Sequence, residues 1–322
     1  MRIGKKKILY KDWIYDWLIE KKEYIKESTY ANYSNNIFNH IIPKLGHYDL
    51  TELHHKVIQD FILELSKTGK KDGSGGLSEK TIKDILIIVK GSLKKAINEE
   101  KMKHIELTFN YPKNQNDNKI YILTKHDQNK ITDYVLNNLT TRNVGILISL
   151  YSGIRIGELC SLKWEDIDFK KGILDINKTI QRIYIKDKDK NVSKVIITTP
   201  KTKNANREIP VNKEFLEILK KVKTNKEDYI LTGNCDYIEP RTYRKYFNKV
   251  LKDAKIKHFN FHSLRHTFAT NCISLGVDYK TVSELLGHAN VNITLNLYVH
   301  PRLSQKKKCI DLVCKVFQEK VI

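Results

Sequence analysis

The chain has 322 residues, 40% of them hydrophobic, enough for sizeable cores in two domains. Lysine and arginine number 58 against 37 acidic residues, a net charge of +21. That surplus points to a polyanionic partner, nucleic acid first, although a composition rich in Lys, Ile and Asn yields it without one. The cysteines are Cys160, Cys235, Cys272, Cys309 and Cys314, odd in number and without a C-x-x-C pair. They argue against a disulfide framework and a zinc site. No apolar run approaches a membrane span, and the basic N-terminus lacks the apolar stretch of a signal peptide. A cytoplasmic chain with reduced cysteines and no membrane contact is expected.

Tyr10, Trp13, Ile14 and Trp17 fall at i, i+3, i+4 and i+7, which predicts an amphipathic first helix. Ser28 or Thr29 is expected to cap a second helix ending near Ile41, with Pro43 stopping it and Gly46 turning the chain. A third helix follows over Lys56–Ser66, then a flexible basic loop, Lys67–Gly76. The fourth helix, Ser78–Lys101, is the longest. Its buried stripe is Ile82, Ile85, Leu86, Val89, Leu93, Ala96 and Ile97. Lys83, Lys90 and Lys94 line a different face, which is a solvated lysine face or, beside DNA, a row of phosphate contacts. Residues 104–123 contain Pro112 and a run of Asn, Gln and Asp. They are expected to link a helical domain, residues 1–103, to a second domain, residues 124–301.

Thr124 is expected to cap a helix with Ile131, Val135, Leu136 and Leu139 in period, followed by an apolar helix over Val144–Tyr151. SGIRIGEL (Ser152–Leu159) reads as a turn into a short helix. GILDIN, TIQRIYI, KVIITT and REIPV are alternating or β-branched and predict strands, with Lys186–Asn191 and Lys201–Arg207 as turns. Helices are expected again over Lys213–Val222, Pro240–Ala254 and from Phe261 onward. In the tail, residues 302–322, Ile310, Val313, Cys314 and Phe317 are spaced for a short amphipathic helix.

The chemistry concentrates between Phe261 and His300. His262 and Arg265 stand three apart, so a helix turns both to one target. Gly287 ends an apolar-periodic run and suits a left-handed helix cap, which places His288 at a helix end. Tyr298 follows. Arg155 and Glu158 repeat the three-apart spacing; standing alone they read as a surface ion pair. Guanidinium forks grip tetrahedral oxyanions, imidazoles move protons near neutral pH, and a phenol can be a covalent nucleophile.

Taken in order, G-I-R-I-G-E-L, a lysine hairpin ending in R-E-I-P, H-S-L-R-H-T-F-A-T, L-L-G-H and a tyrosine ten residues on resemble the catalytic domain of tyrosine recombinases, the phage integrase family. IIPKLGHYDLTEL resembles the family's core-binding domain, and the likeness is greatest to integrases of phages and conjugative transposons. The resemblance implies an α-helical N-terminal core-binding domain. It implies a mixed α+β, mainly helical catalytic domain with a small antiparallel sheet. Position by position, it implies Arg155 and Arg265 as phosphate-gripping arginines, Glu158 as the supporting acid, and Lys201 as the catalytic lysine with Lys203 competing. It also implies His262 and His288 as the histidines and Tyr298 as the nucleophile. Lys83, Lys90, Lys94, Lys203 and Arg207 are the expected DNA contacts. The segment before Trp13 is short, a departure from family members that carry an arm-site domain there.

The implied activity is site-specific strand exchange on duplex recombination sites of a mobile element, through a 3′-phosphotyrosyl ester. No cofactor and no metal are expected; the sequence has no GxxxxGK[ST] loop. The implied partners are double-stranded DNA, a homotetramer on DNA joined through the C-terminal tail, and DNA-bending or excision accessory factors. The alternatives are a dimer-resolving recombinase, a type IB-like topoisomerase and a non-catalytic DNA-binding protein. Thr179–Thr199 is longer than the sheet needs. A projecting hairpin is expected there, carrying Lys186, Lys188, Lys190 and Lys194 to DNA or a neighbouring subunit, or merely into solvent.

Overall fold

The computed structural model describes residues 7–112, 121–188, 190–199 and 206–298, and in the tail 307, 310, 311 and 314. The chain forms two units. The first is Met1–Asn118 with Arg182–Val195, and the second is Lys119–Gln181 with Ile196–Ile322.

The first unit is built on helices α1 (Tyr10–Lys21), α2 (Glu27–Asn36), α3 (Ile42–Leu45), α4 (His55–Thr68) and α5 (Glu79–Asn98). Tyr10, Ile14, Trp17 and Leu18 of α1 meet Ile82, Ile85, Val89 and Leu93 of α5 in one apolar cluster. The Ser78 hydroxyl caps α5 by accepting from the Thr81 N–H at 3.2 Å. Two expectations fail here. Neither Ser28 nor Thr29 caps α2, which starts at Glu27 without a side-chain cap. The Glu27 carboxylate instead lies in the first turn, where the helix dipole favours negative charge. Nor does Pro43 stop the helix. Residues Ile37–Ile41 form a π-helical turn, and Pro43 sits in the first turn of α3, where a missing N–H costs little.

The stretch expected to be a linker is fastened to this unit as far as Tyr111. Phe109 is buried, with Ile105, Leu107 and Tyr111 packed against the same core. The Gln59 side-chain amide exchanges two hydrogen bonds of 3.0 Å with the Asn110 backbone, donating to its carbonyl and accepting from its N–H. Apolar residues at alternate positions dock an extended segment as well as a strand. This strap also engages two of the α5 lysines. Lys90 lies over the Phe109 ring at 5.3 Å and Lys83 over Tyr111 at 5.1 Å, with Lys83 also paired to Glu79 at 2.6 Å. Lys94 is exposed.

The second unit carries α6 (Lys125–Asn137), α7 (Thr141–Ser152), α8 (Ile156–Ser161), α9 (Lys213–Lys220), α10 (Pro240–Asp253), α11 (His262–Ser274), α12 (Tyr279–Leu286) and α13 (Val291–Tyr298). Thr124 caps α6, its hydroxyl accepting from the Asp127 N–H at 3.1 Å. Strands β1 (Ile167–Asp168), β2 (Ile173–Ile176) and β5 (Arg207–Pro210) form an antiparallel sheet in the order β1-β2-β5, with Leu174 opposite both Ile167 and Ile209. At two residues, β1 is too short for periodicity to reveal.

Strands β3 (Thr179–Lys186) and β4 (Asn191–Thr198) make a separate two-stranded sheet. The hairpin exists as expected, but its lysines do not all stand in solvent. Its far part, Arg182–Val195, belongs to the first unit. There Ile185 packs against the core, Lys194 pairs with Glu27, Lys188 lies over the Tyr15 ring at 4.0 Å, and the Asp187 carboxylate accepts from the Tyr15 hydroxyl at 3.0 Å. An amphipathic strand beside a helical domain is stabilised by burying its apolar side there.

Candidate active site

The site is organised around the C-terminal end of α12. A helix leaves its last carbonyls without intrahelical partners and carries partial negative charge there. Gly287 closes α12 in a left-handed conformation, φ 63°, as its position in L-L-G-H predicts. Three arginines from separate parts of the chain reach three successive carbonyls at this end. Arg207 Nε donates to Leu285 at 2.6 Å, Arg265 Nη2 to Leu286 at 2.7 Å, and Arg155 Nη2 to Gly287 at 3.1 Å.

Arg265 is only 2% exposed, and its Nη1 donates to the Gly153 carbonyl at 2.8 Å. Gly153 is itself the left-handed cap of α7, φ 65°. Two helix ends therefore hold one guanidinium. A Cβ at position 153 would lie 2.5 Å from Phe268 Cδ1 and 2.8 Å from Leu286 Cδ2, in a conformation L side chains rarely adopt. Gly153→Ala is accordingly expected to destabilise the fold by about 1–3 kcal/mol through backbone strain alone. Urea unfolding monitored by circular dichroism measures it, and an unchanged midpoint refutes it.

Glu158 lies at the centre, its side chain 3% exposed. Its oxygens accept from Arg155 Nη1 at 2.8 Å, the Arg155 N–H at 2.9 Å and Arg207 Nη2 at 2.9 Å. Burial pushes its carboxyl up, but the Arg207 hydrogen bonds and the charges of Arg207 and Arg155 outweigh that and hold it below the usual range. Glu158 is thus ionised and orients two guanidiniums. With Arg265 held at the same helix end, three guanidiniums stand against one carboxylate, so the site keeps a net positive charge suited to a phosphate.

Arg207 was expected to touch DNA. The structure corrects this. Its side chain is 6% exposed and its guanidinium is turned inward onto Glu158 and α12. A buried carboxylate needs a buried cation, and β5 brings Arg207 to that place. Only that pairing need pointed to a second partner for Glu158, and it is visible in three dimensions rather than in spacing. Thr294 was also missed. It is fully buried on α13, 2.8 Å from His288 Nδ1.

His288 is buried directly after the Gly287 cap. Burial, then the charges of Arg265, Arg155 and Arg207, push its imidazole down to about 3. His262 opens α11, one turn before Arg265, and packs edge-on to His266 with ring centroids 4.6 Å apart. Desolvation, then His266, Arg265 and Arg155, push it down to about 4, partly opposed by Glu158. Both imidazoles are neutral at pH 7. α13 ends at Tyr298, whose side chain lies outside the described residues, as do Lys201 and Lys203. Among the described residues no group of three His, Cys, Asp or Glu side chains is placed to hold a metal ion, and no helix is long and apolar enough to cross a membrane.

Residues 118–305 match the Phage integrase family, and residues 9–66 match the N-terminal SAM-like domain of phage integrases. The chain belongs to the phage integrase family. Among the family's curated members, it is 34% identical over 189 residues to a tyrosine recombinase XerC-like protein of Caldanaerobacter subterraneus subsp. tengcongensis, covering 53% of this chain and 48% of that one. It is 24% identical over 308 residues to the ICEBs1 integrase of Bacillus subtilis, covering 89% and 77%. It is 30% identical over 202 residues to the transposase from transposon Tn916 of Enterococcus faecalis, covering 56% and 47%. The chain thus spans about half the length of the first and third of these relatives.

Among solved structures, the fold matches the Tn1549 transposon integrase in complex with transposon right end DNA. The TM-score is 0.75 at 20% identity, covering 95% of this chain and 100% of that one. It also matches a lambda integrase tetramer bound to a Holliday junction, with TM-score 0.64 at 20% identity, covering 92% and 78%. The family's mainly helical fold with small antiparallel sheets is the one expected from the sequence.

Proposed function

We propose that the chain is a site-specific DNA recombinase of a mobile element that exchanges strands through a 3′-phosphotyrosyl intermediate. The observation that carries this reading is the convergence of Arg155, Arg207, Arg265, Glu158, His262 and His288 at the end of α12. In this reading the Tyr298 phenol attacks a phosphodiester. A Tyr–O–P bond forms, the P–O5′ bond breaks, and the product is a phosphotyrosyl ester with a free 5′-OH. An unperturbed phenol has a pKa near 10, so it needs a base at neutral pH. His262 is neutral and suited to take the proton. Arg155 and Arg265 stabilise the non-bridging oxygens, His288 bonds one of them, and Lys201 gives the leaving O5′ its proton. The ester conserves the bond energy, so the 5′-OH of a partner strand reverses the step on a new duplex.

The test is an SDS-resistant adduct on duplex DNA carrying the element's ends. A 5′-OH on the released strand is expected, and no adduct on any such duplex overturns the reading. The general acid is decided separately. A 5′-bridging phosphorothioate leaves as a thiolate without protonation, so it is expected to restore cleavage by Lys201→Ala, which otherwise loses about 10²–10⁴ in rate. Lys203→Ala should cleave both substrates normally. The opposite pattern makes Lys203 the acid.

Assembly as a tetramer on paired sites, with accessory factors that bend DNA or direct excision, belongs to the same proposal. Ile310 is 61% exposed and Cys314 is exposed, two of the four positions on the tail's apolar stripe. A short helix needs a surface to bury such a stripe, and the proposed surface is the next subunit. Partner exchange, rather than relaxation without site preference, distinguishes this reading from a topoisomerase.

A further inference from the structure

In the first unit, two ammonium groups converge on a single neutral atom. Lys71, from the glycine-rich loop after α4, and Lys186, from the end of β3, both donate to Asn39 Oδ1, the latter at 2.9 Å. Hydrogen bonds to one oxygen hold the two charges within about 6 Å of each other. Asn39 lies in the π-turn Ile37–Ile41, a kind of helix insertion found often at functional sites. The approach is fixed from several sides. The Lys186 N–H donates to Ser34 Oγ at 3.0 Å, Ser34 Oγ donates in turn to the Lys186 carbonyl, and the Asn35 amide donates to the Tyr184 carbonyl.

The acids nearby have other partners, Asp187 the Tyr15 hydroxyl, Glu27 the Lys194 ammonium and Asp72, next to Lys71, the Ser74 N–H. Burial and the charge of Lys186 push Lys71 down, and burial and the charge of Lys71 push the neighbouring His40 down. An amide oxygen offers no charge to balance two cations, whereas an anionic oxygen in its place does. Lys71 is exposed, and Asn39 and Lys186 are half-buried, so the cluster is open to a ligand.

We propose that Lys71, Lys186 and Asn39 form a seat for one backbone phosphate of duplex DNA, away from the site of strand cleavage. The inference rests on the recombinase reading for its ligand. It adds that the far end of the β3–β4 hairpin is part of the DNA-binding surface of the first unit. A phosphate displaces neither lysine; it enters between them and relieves their repulsion. Such a contact positions the protein on the duplex and carries no sequence information.

The test uses the full-length chain with Lys71→Ala, Lys186→Ala and the double variant, titrated on a random duplex across salt concentrations. One shared phosphate predicts that each single variant weakens binding but leaves the slope of log K against log salt nearly unchanged, because the remaining lysine still neutralises it, and that the double variant flattens the slope by about one. A slope that falls by about two in the double variant means two separate phosphates and overturns the seat, as does an unchanged slope in that variant. Asn39→Asp supplies a check against a purely structural role. A carboxylate there neutralises the lysines, so the melting temperature should rise while DNA binding weakens; a rise without weaker binding also overturns the proposal. Random-duplex binding does not need cleavage. Loss of the adduct in the parent chain would therefore sink the recombinase reading, while the salt slopes judge the seat separately.

Discussion

Tyr298→Phe is expected to bind duplex DNA as the parent chain does and to give no SDS-resistant adduct at any protein concentration. The substitution removes one oxygen, the atom that would form the ester, and keeps the aromatic ring. In the proposed mechanism no other residue of the set replaces it, because the three arginines are held against carbonyls at the end of α12. In the proposed function, binding rests on the chain's positive charge and is separable from the chemistry, so a salt slope near −9 is expected if about ten phosphates are neutralised. The measurement is a pair of gels on one labelled duplex, native for binding and denaturing for the adduct. An adduct that persists in Tyr298→Phe moves the nucleophile elsewhere.

Glu158→Ala should destabilise the fold strongly. It removes the buried carboxylate between Arg155 and Arg207 and leaves the nearly buried Arg207 guanidinium without that partner. Breaking a buried pair from one side costs about 3–5 kcal/mol. Under the proposed mechanism, adduct formation should also fall, by about 10²–10³, because Arg155 loses the carboxylate that orients it. Glu158→Gln keeps the shape and part of the hydrogen bonding, so it should fall between the two.

The pH dependence has a definite sign. The Glu158 carboxyl is held lower in the folded chain than in the unfolded one, so the unfolded state binds its proton first as pH falls. Its contribution is complete above the ordinary carboxylate pKa of about 4.3 and is lost as pH drops through the lowered folded value. His288, pushed down to about 3, acts in the same direction from about pH 6.5 downward, because the unfolded imidazole charges first. The stability gap between parent and Glu158→Ala should therefore stay constant from pH 8 to pH 5 and narrow below pH 4. Urea unfolding across that range reads it, and a gap that persists into acid would show that the carboxylate charge is not what stabilises the site.

Helices were legible where one face is apolar over several turns, as in α1, α5 and α6, because burying such a face requires the period of the helix itself. The left-handed cap at Gly287, and with it the placing of His288 at a helix end, was legible for the same local reason. The strap from His104 to Tyr111 was not. It opens a stretch, residues 104–123, whose Pro112 and Asn-rich run read as a linker, and only the neighbouring Gln59, His55 and α5 side chains give its backbone and its Phe109 ring somewhere to go.

The order of motifs determined the family and its candidate residues, since chemical identity along the chain is what a sequence records. Arg155, Glu158, His262, Arg265 and His288 could all be named from it. What tertiary structure alone decided is which of the many cations faces inward. Arg207 reads as one more basic residue in a turn, yet strand pairing of β5 with β2 turns it onto Glu158 and the end of α12. Lys186 reads as a hairpin lysine bound for DNA, a neighbouring subunit or solvent, yet it shares an amide oxygen with Lys71. The physical reason is common to both. Charge is distributed all along this chain, and its effect depends on distance and burial, which are set by contacts between segments far apart in sequence.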